Sequence, residues 1–245
     1  MWPPPGTAVI SPLTDRKGPV SSLFSDYQIW TALWTTIKLT IFSAIGSLIV
    51  GTIVATLRLS PVGILRFVGT SYVNIFRNTP LTLIILSCSF VLYIQLGISL
   101  ADSSDPAFAD INGFRLAVVG MTVYHATYVC EALRSGFNTI PLGQAEAARS
   151  IGLTFSQTMR EVILPQAFRG AVVPLGNTLI ALTKNTTVAV TISVMELSAV
   201  LKTVTERDPG LLNMAFLVVG AFFVILTLPM GVATGWLGKR LSVKR

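Results

Sequence analysis

The sequence predicts an all-α membrane protein with five transmembrane helices, its N-terminus outside and its C-terminus cytoplasmic. Three observations predict it. Hydrophobic residues make up 52% of the 245 and charged residues 12%, a balance far from that of a soluble domain. Several apolar runs reach about twenty residues, the length that crosses a hydrocarbon core of about 30 Å at ~1.5 Å rise per residue. They should all be helices, because lipid offers no partner to an unpaired backbone group. Third, Lys and Arg collect in alternate connections, as they do in cytoplasmic loops.

Residues 1–25 read as an extracytoplasmic tail outside the transmembrane domain of 26–245. MWPPPG and RKGPV resist helix and bury little, so poor order is expected, and no basic segment leads into an apolar core as in a cleavable signal peptide. The first span is Trp30 to Leu57, with Lys38 its single charge, placed to snorkel. A basic amphipathic piece follows, carrying Arg58, Arg66 and Arg77, and then a second span, Leu81 to about Leu100, with Pro80 suited to its first turn. After the acidic loop ADSSDPAFAD come a third span, Phe114 to about Phe137, and a polar segment, GQAEAARSIGLTFSQTMREVILPQ. The fourth span is Ala171 to about Val200. A hydrophilic turn, KTVTERDPG, leads to the fifth, Leu211 to Leu237.

Sidedness follows from charge. Arg58, Arg66, Arg77, Arg134, Arg149, Arg160, Arg169, Lys239, Arg240, Lys244 and Arg245 are eleven of the eighteen basic residues, and five spans put them all on one side, which is then the cytoplasm. Asp102, Asp105, Asp110, Glu206 and Asp208 fall on the other. The net charge of +7 is thus explained by membrane topology and not by nucleic acid. Cys88 and Cys130 lie in apolar runs without metal-ligand spacing and read as small buried hydrophobes. No internal repeat is visible, which argues against a pseudo-symmetric transporter made from one chain and for a partner subunit.

The polar segment is written for two short helices. Leu142 to Ile151 is rich in helix formers and Gly152 is a natural left-handed stop. Thr154 with Gln157 forms a capping box for a second helix, in which Phe155, Met159, Val162 and Ile163 share a face before Pro165 ends it. Ala147 and Ala148 permit close approach, and Glu146 and Arg149 offer charges for docking. On the residues alone, a plain surface hairpin is equally open.

The spacing carries a resemblance that favours a docking element. Glu146, Ala147, Ala148, Gly152, Val162, Leu164 and Pro165 follow the order Glu-Ala-Ala, three residues, Gly, nine residues, Ile, one residue, Leu-Pro, with Val162 for Ile. This resembles the EAA loop of ATP-binding-cassette importer permeases. RLSP, YVNIFRNTP, GQAEAARSIGL, VILPQAFR, PLGNTLIALTKNTT and ILTLPMG extend the resemblance to the polar amino acid branch, nearest to permeases of actinobacterial glutamate importers. The chain departs from that branch where RNTP replaces Arg-Gly-Thr-Pro, where KNTT replaces Lys-Asp-Thr-Ser, and at His125. The resemblance implies a type I importer permease fold with a coupling loop over 139–168, in which Gln144, Glu146, Ala147, Ala148, Arg149, Gly152, Leu164 and Pro165 meet a cytoplasmic ATPase. It also implies two ATPase subunits, a second permease chain with a heterodimer favoured, an extracytoplasmic binding protein, a bacterial plasma-membrane location, and glutamate as first choice of substrate. ATP and Mg belong to the ATPase subunits, and no cofactor or metal is expected on this chain.

Candidates for a substrate pathway are Arg77, Asn78, Thr79, His125, Lys184, Asn185, Thr186 and Thr187. Lys184 falls roughly 20 Å into its span, where a charge must face protein or water, and the polar run after it would loosen the helix near mid-membrane. An anionic substrate would welcome it; equally open is a structural lysine that caps carbonyls or pairs with Glu196. Arg77 to Pro80 reads as interfacial architecture, Glu131 and Arg134 as an i,i+3 pair, and His125, near Tyr124, Thr127 and Tyr128, as a satisfied packing residue. A membrane enzyme would need a nucleophile with a base, a metal set or paired acids, and one histidine with scattered carboxylates supplies none. A channel or ion-driven carrier is compatible with the hydropathy but needs no coupling loop.

Overall fold

The computed structural model describes residues 23, 24 and 26–241. Most of the tail expected to be poorly ordered, with Lys244 and Arg245, lies outside them, and every regular element among the described residues is helical. Helix α1, Ile29–Leu59, is a full span. Helix α2, Gly63–Arg77, turns through 102° into α3, Leu81–Gln95, whose second half from Cys88 is π-helical. Helix α4, Phe108–Asn138, is the central span. The short α5, Leu142–Ser150, precedes the long α6, Phe155–Ile192, and then come α7, Leu197–Arg207, and α8, Leu212–Leu241.

Side-chain pairs fix the directions. Gly51 faces Val129 and Arg58 reaches Glu131, so α1 and α4 run parallel. Gly136 faces Ala167 and His125 faces Asn185, so α6 is antiparallel to α4; Thr183 lies by Met230 and Gly176 by Thr234, which returns α8 to the direction of α1. Without a hydrophobic gain between helices already in lipid, close packing and interhelical hydrogen bonds must hold such a bundle. Both are present. A Cβ on Gly51 would sit 2.8 Å from the Ala126 carbonyl, and one on Gly136 would collide with the Ala167 carbonyl. The Tyr72 hydroxyl donates to the Val123 carbonyl at 2.8 Å, and Thr36 accepts the Leu197 N–H at 3.1 Å.

The core is divided into clusters strung along α4 and the start of α1. Leu39, Ala117, Ala189 and Val194 form one, and Leu81, Ile85, Met121 and Leu182 another. A third joins Leu23, Tyr27 and Ile29 to Leu197, Val200 and Val219 of α7 and α8. Beside it the Tyr27 hydroxyl donates to the Asp208 carboxylate at 2.5 Å, and that hydrogen bond pushes the phenol above its usual pKa. Cys88 and Cys130 are buried free thiols. Only 11% of the most apolar stretch of α8 is buried, and Trp236 near its far end stacks under Arg240 at 4.1 Å, the amphipathic pairing of a membrane interface.

Five expectations need correction. The second crossing is not Leu81 to Leu100: α3 stops at Gln95, with Gly97 left-handed at φ +67°. At no more than about 22 Å it is short of the hydrocarbon core. Its counterpart is the basic piece α2, which packs inward on α1 and α4, so α2 and α3 form one bent pair. Pro80 is the N-cap of α3 and lies just before its first turn.

Pro165 does not end a helix. The backbone widens to a π-helix over Thr158–Ile163, and Pro165 sits in the first turn of the following α segment, where a missing N–H costs little. The fourth span does not run unbroken to Val200. It tightens into a 3-10 helix over Thr186–Ile192 instead of loosening, breaks at Ser193 with φ 63°, and resumes as α7 after a 46° bend. The turn expected at KTVTERDPG is therefore mostly helical. Glu196, fully buried, caps α7 by accepting the N–H groups of Ser198 and Ala199 at 2.9 and 3.1 Å.

Substituting Gly136→Val should lower thermal stability of the detergent-solubilised protein by about 1–3 kcal/mol through overpacking of α4 on α6. Gly220→Ala, where nothing lies within 4 Å, should instead leave stability unchanged or raise it by about 1 kcal/mol at most.

Candidate functional site

A polar pocket of about 280 Å³ opens between α4 and α6, lined by Tyr124, His125, Tyr128, Asn177, Thr178 and Asn185 with Ala181. The pattern that builds it is helical. Tyr124 and Tyr128 are one turn apart and their hydroxyls meet at 2.9 Å; Asn177, Ala181 and Asn185 recur every four residues on the facing helix. His125 is 1% exposed, with Nδ1 3.0 Å from the Met121 carbonyl and Nε2 3.1 Å from the Asn185 amide nitrogen. A larger recess of about 930 Å³ lies by the start of α4, with Lys38, Asp110 and Arg115 on its wall.

Next to the pocket, Glu131 of α4 gathers three arginines. Arg58 of α1 approaches to 2.5 Å, Arg134 to 3.5 Å and Arg77 of α2 to 4.0 Å. Arg77 also stands over the Tyr128 ring, 5.9 Å from its centroid. One carboxylate cannot neutralise three guanidinium groups, so the cluster keeps an excess of two positive charges. Arg58 takes the short contact and its side chain is only 11% exposed, while Arg77 is 52% exposed. Arg77 therefore retains donors free for another acceptor.

The structure unites Arg77, His125 and Asn185 of the pathway candidates and disperses the others. Asn78 and Thr79 bond back to Asn74 and Ile75 of their own helix. Thr186 is buried and donates to the Thr183 carbonyl; Thr187 donates to the Lys184 carbonyl. Lys184 is exposed and outside the pocket lining. It does not pair with Glu196, whose oxygens are spent on the α7 cap and the Ser198 hydroxyl. Of the residues sequence reasoning passed over, Asn177, four residues before Ala181 and eight before Asn185, and Thr178, three and seven before them, carried a helical spacing that could have found them. Arg58 carried no such signal, because its partner is on another helix. The i,i+3 expectation for Glu131 and Arg134 holds as one arm of a larger cluster.

At the end of the bundle where Arg58 and Arg134 lie, α5 and α6 meet in the expected elbow. Gly152 adopts φ +89°; its N–H donates to the Arg149 carbonyl and that of Leu153 to the Ala148 carbonyl, which is the Schellman arrangement a left-handed glycine permits. Thr154 and Gln157 then form a reciprocal capping box. Gln144, Glu146, Ala147 and Arg149 are exposed, as are Leu164 and Pro165. Ala148 is not available for close approach from outside, since it is buried within the chain. Ile151 and Phe155, on either side of the glycine, are 78% and 74% exposed, two apolar side chains at the tip that the pattern of charges did not single out. Among the described residues no group of three or more metal-ligating side chains occurs.

A family model described as a binding-protein-dependent transport system inner membrane component matches residues 47–243. The glutamate transport system permease protein GluC of Corynebacterium glutamicum is 54% identical over 195 residues, covering 80% of this chain and 86% of that protein. The probable glutamine ABC transporter permease protein GlnM of Bacillus subtilis is 33% identical, covering 79% and 83%. Among solved structures, an amino acid ABC transporter with histidines aligns with TM-score 0.75 and 25% identity over 91% of this chain and 98% of that one. The MetNI methionine ABC transporter in an inward facing conformation shares the fold, with TM-score 0.68 and 22% identity over 88% and 96%.

Replacing Glu131 by Ala leaves its arginines without their shared acceptor and should cost about 1.5–3 kcal/mol, the range for a charged hydrogen bond. Thermal unfolding measures the loss, and Glu131→Gln should recover part of it.

Proposed function

Since the chain belongs to the family of binding-protein-dependent transport system inner membrane components, we propose that it is the membrane-spanning permease subunit of an ATP-driven importer of a polar amino acid, glutamate first. The observation that carries this reading is the 54% identity to a glutamate permease over four-fifths of the chain. The excess positive charge around Glu131, beside a polar pocket between two spans, agrees with it. ABC importers work with partner subunits, and the relatives are their membrane component, so hydrolysis belongs to a separate subunit. Here we assign the chain a second permease partner, in a heterodimer, with two ATPase subunits carrying ATP and Mg and an extracytoplasmic binding protein.

In this reading the loop over 139–168 faces the cytoplasm, the C-terminus lies on that side and the N-terminus on the other. The described basic residues Arg58, Arg134, Arg149, Arg160, Lys239 and Arg240 belong to helix ends or loops at this end of the bundle, which supports that orientation. The elbow enters a cleft on the ATPase. Glu146 and Arg149, for which the structure holds no ion pair among the described residues, supply polar contacts with Gln144, and Ala147 permits close approach. Ile151 and Phe155 supply the apolar contact. Gly152, Leu164 and Pro165, with Ala148 turned inward, shape the joint. Substrate passes the pocket of Tyr124, His125, Tyr128 and Asn185, with Arg77 at its edge, as one permease rocks against the other. Lys184, with Thr186 and Thr187 nearby in sequence, and Asn78 and Thr79 at the bend between α2 and α3, shape the local backbone and the surface toward the partner.

The test is reconstitution of the full transporter in liposomes with ATP inside and labelled glutamate outside. Gly152→Pro cannot adopt φ +89° and should reduce uptake tenfold or more, with the protein still inserted; Glu146→Lys combined with Phe155→Asp should do the same. Uptake and stimulated ATP hydrolysis that survive both changes would remove the coupling role.

A further inference from the structure

We propose that Asn185, held by His125, is a specificity-determining residue for anionic amino acids: it keeps the pocket between α4 and α6 free of carboxylate. The inference rests on the reading that substrate passes this pocket. Of its lining residues, Tyr124, Tyr128, Asn177, Thr178 and Asn185 offer hydroxyl and amide groups, His125 offers an imidazole, and none is Asp or Glu. The carboxylate at its edge, Glu131, is engaged by Arg58, Arg77 and Arg134.

The hydrogen bonds explain why position 185 is an amide. The Met121 carbonyl can only accept, so the His125 nitrogen beside it at 3.0 Å, Nδ1, carries the ring proton. Nε2 then presents a lone pair, which the Asn185 amide meets at 3.1 Å by donating N–H. A carboxylate there would have no proton to give. It would either face a second acceptor or require a charged imidazolium in a site that is 1% exposed, and both are costly. His125 is thus a positioning residue, and Asn185 presents a neutral dipole to the pocket.

The consequence is electrostatic. A carboxylate at position 185 about 6 Å from a substrate carboxylate, at an effective dielectric of about 20, would weaken binding of an acidic amino acid roughly 100-fold. A side chain without charge would be almost unaffected.

The experiment uses the complete transporter in lipid nanodiscs, with binding protein omitted, and equilibrium dialysis of labelled glutamate and labelled glutamine. Stimulated ATP hydrolysis with binding protein added back reports intact assembly. For Asn185→Asp with His125→Ala, where no imidazole can neutralise the new charge, glutamate binding should fall roughly 100-fold while glutamine stays within about threefold. Asn185→Leu with His125→Ala removes the hydrogen bond without adding charge, and should shift both amino acids together. Equal losses of glutamate and glutamine in the Asp variant would make the pair merely structural and overturn the filter. If neither double variant assembles, Asn185→Asp alone decides, with a selective loss of glutamate of at least about tenfold expected and its absence overturning the proposal. A wild-type complex that holds neither amino acid, or an Asp variant that binds both as the wild type does, removes this pocket from the pathway and the filter with it.

Discussion

Everything in this fold depends on α4 lying in backbone contact with α1 on one side and α6 on the other. In a bilayer the lipid chains are as apolar as leucine, so helices gain nothing by hiding greasy side chains from one another. They gain by approaching until dispersion contacts and weak polar contacts accumulate. Gly51 and Gly136 allow that approach because the place of a side chain is taken by a neighbouring carbonyl. Once the three helices are locked, polar groups that would be intolerable in lipid, such as His125 and Glu131, acquire protein partners.

The same packing joins the elbow at one end of the bundle to the pocket in its middle. Helix α6 begins at Phe155, immediately after the elbow, and runs continuously to Asn185 and on to Ile192. From Phe155 to Asn185 it covers about 45 Å. Had Pro165 ended a helix, as its chemistry invites, the elbow and the pocket would be joined by a flexible connection. The π segment over Thr158–Ile163 absorbs the proline instead, and a rigid element links the two. In the proposed coupling, this rigid element is what carries a displacement of the elbow to Asn177, Thr178 and Asn185.

Much of this was legible in the residues. The spans of α1, α4 and α8 agree with the apolar runs to within a turn or two, because a run of that length in lipid has one backbone solution. Gly152, Thr154 and Gln157 behave as their local chemistry dictates, since a Schellman turn and a capping box are made by neighbours in sequence. Where a segment's fate rested on distant contacts the reading was poorer. Helix α2 read only as a basic amphipathic piece between spans, yet Arg58 just before it and Arg77 at its end find Glu131 across the bundle. For Lys184 a pairing with Glu196 was one of the open readings, but the break at Ser193 lets Glu196 cap α7 instead.

By itself, then, the sequence determined the three uninterrupted apolar helices, the elbow and its glycine, because each follows from the membrane's thickness or from bonds between near neighbours. Tertiary structure alone decided which polar side chains meet: that His125 faces Asn185 across sixty positions, that one glutamate serves three arginines, and that a proline can sit inside a continuous helix. The physical reason is range. Local hydrogen bonds are written in adjacent residues, whereas a contact between helices depends on their relative rotation and depth, which only the packing of the whole bundle sets.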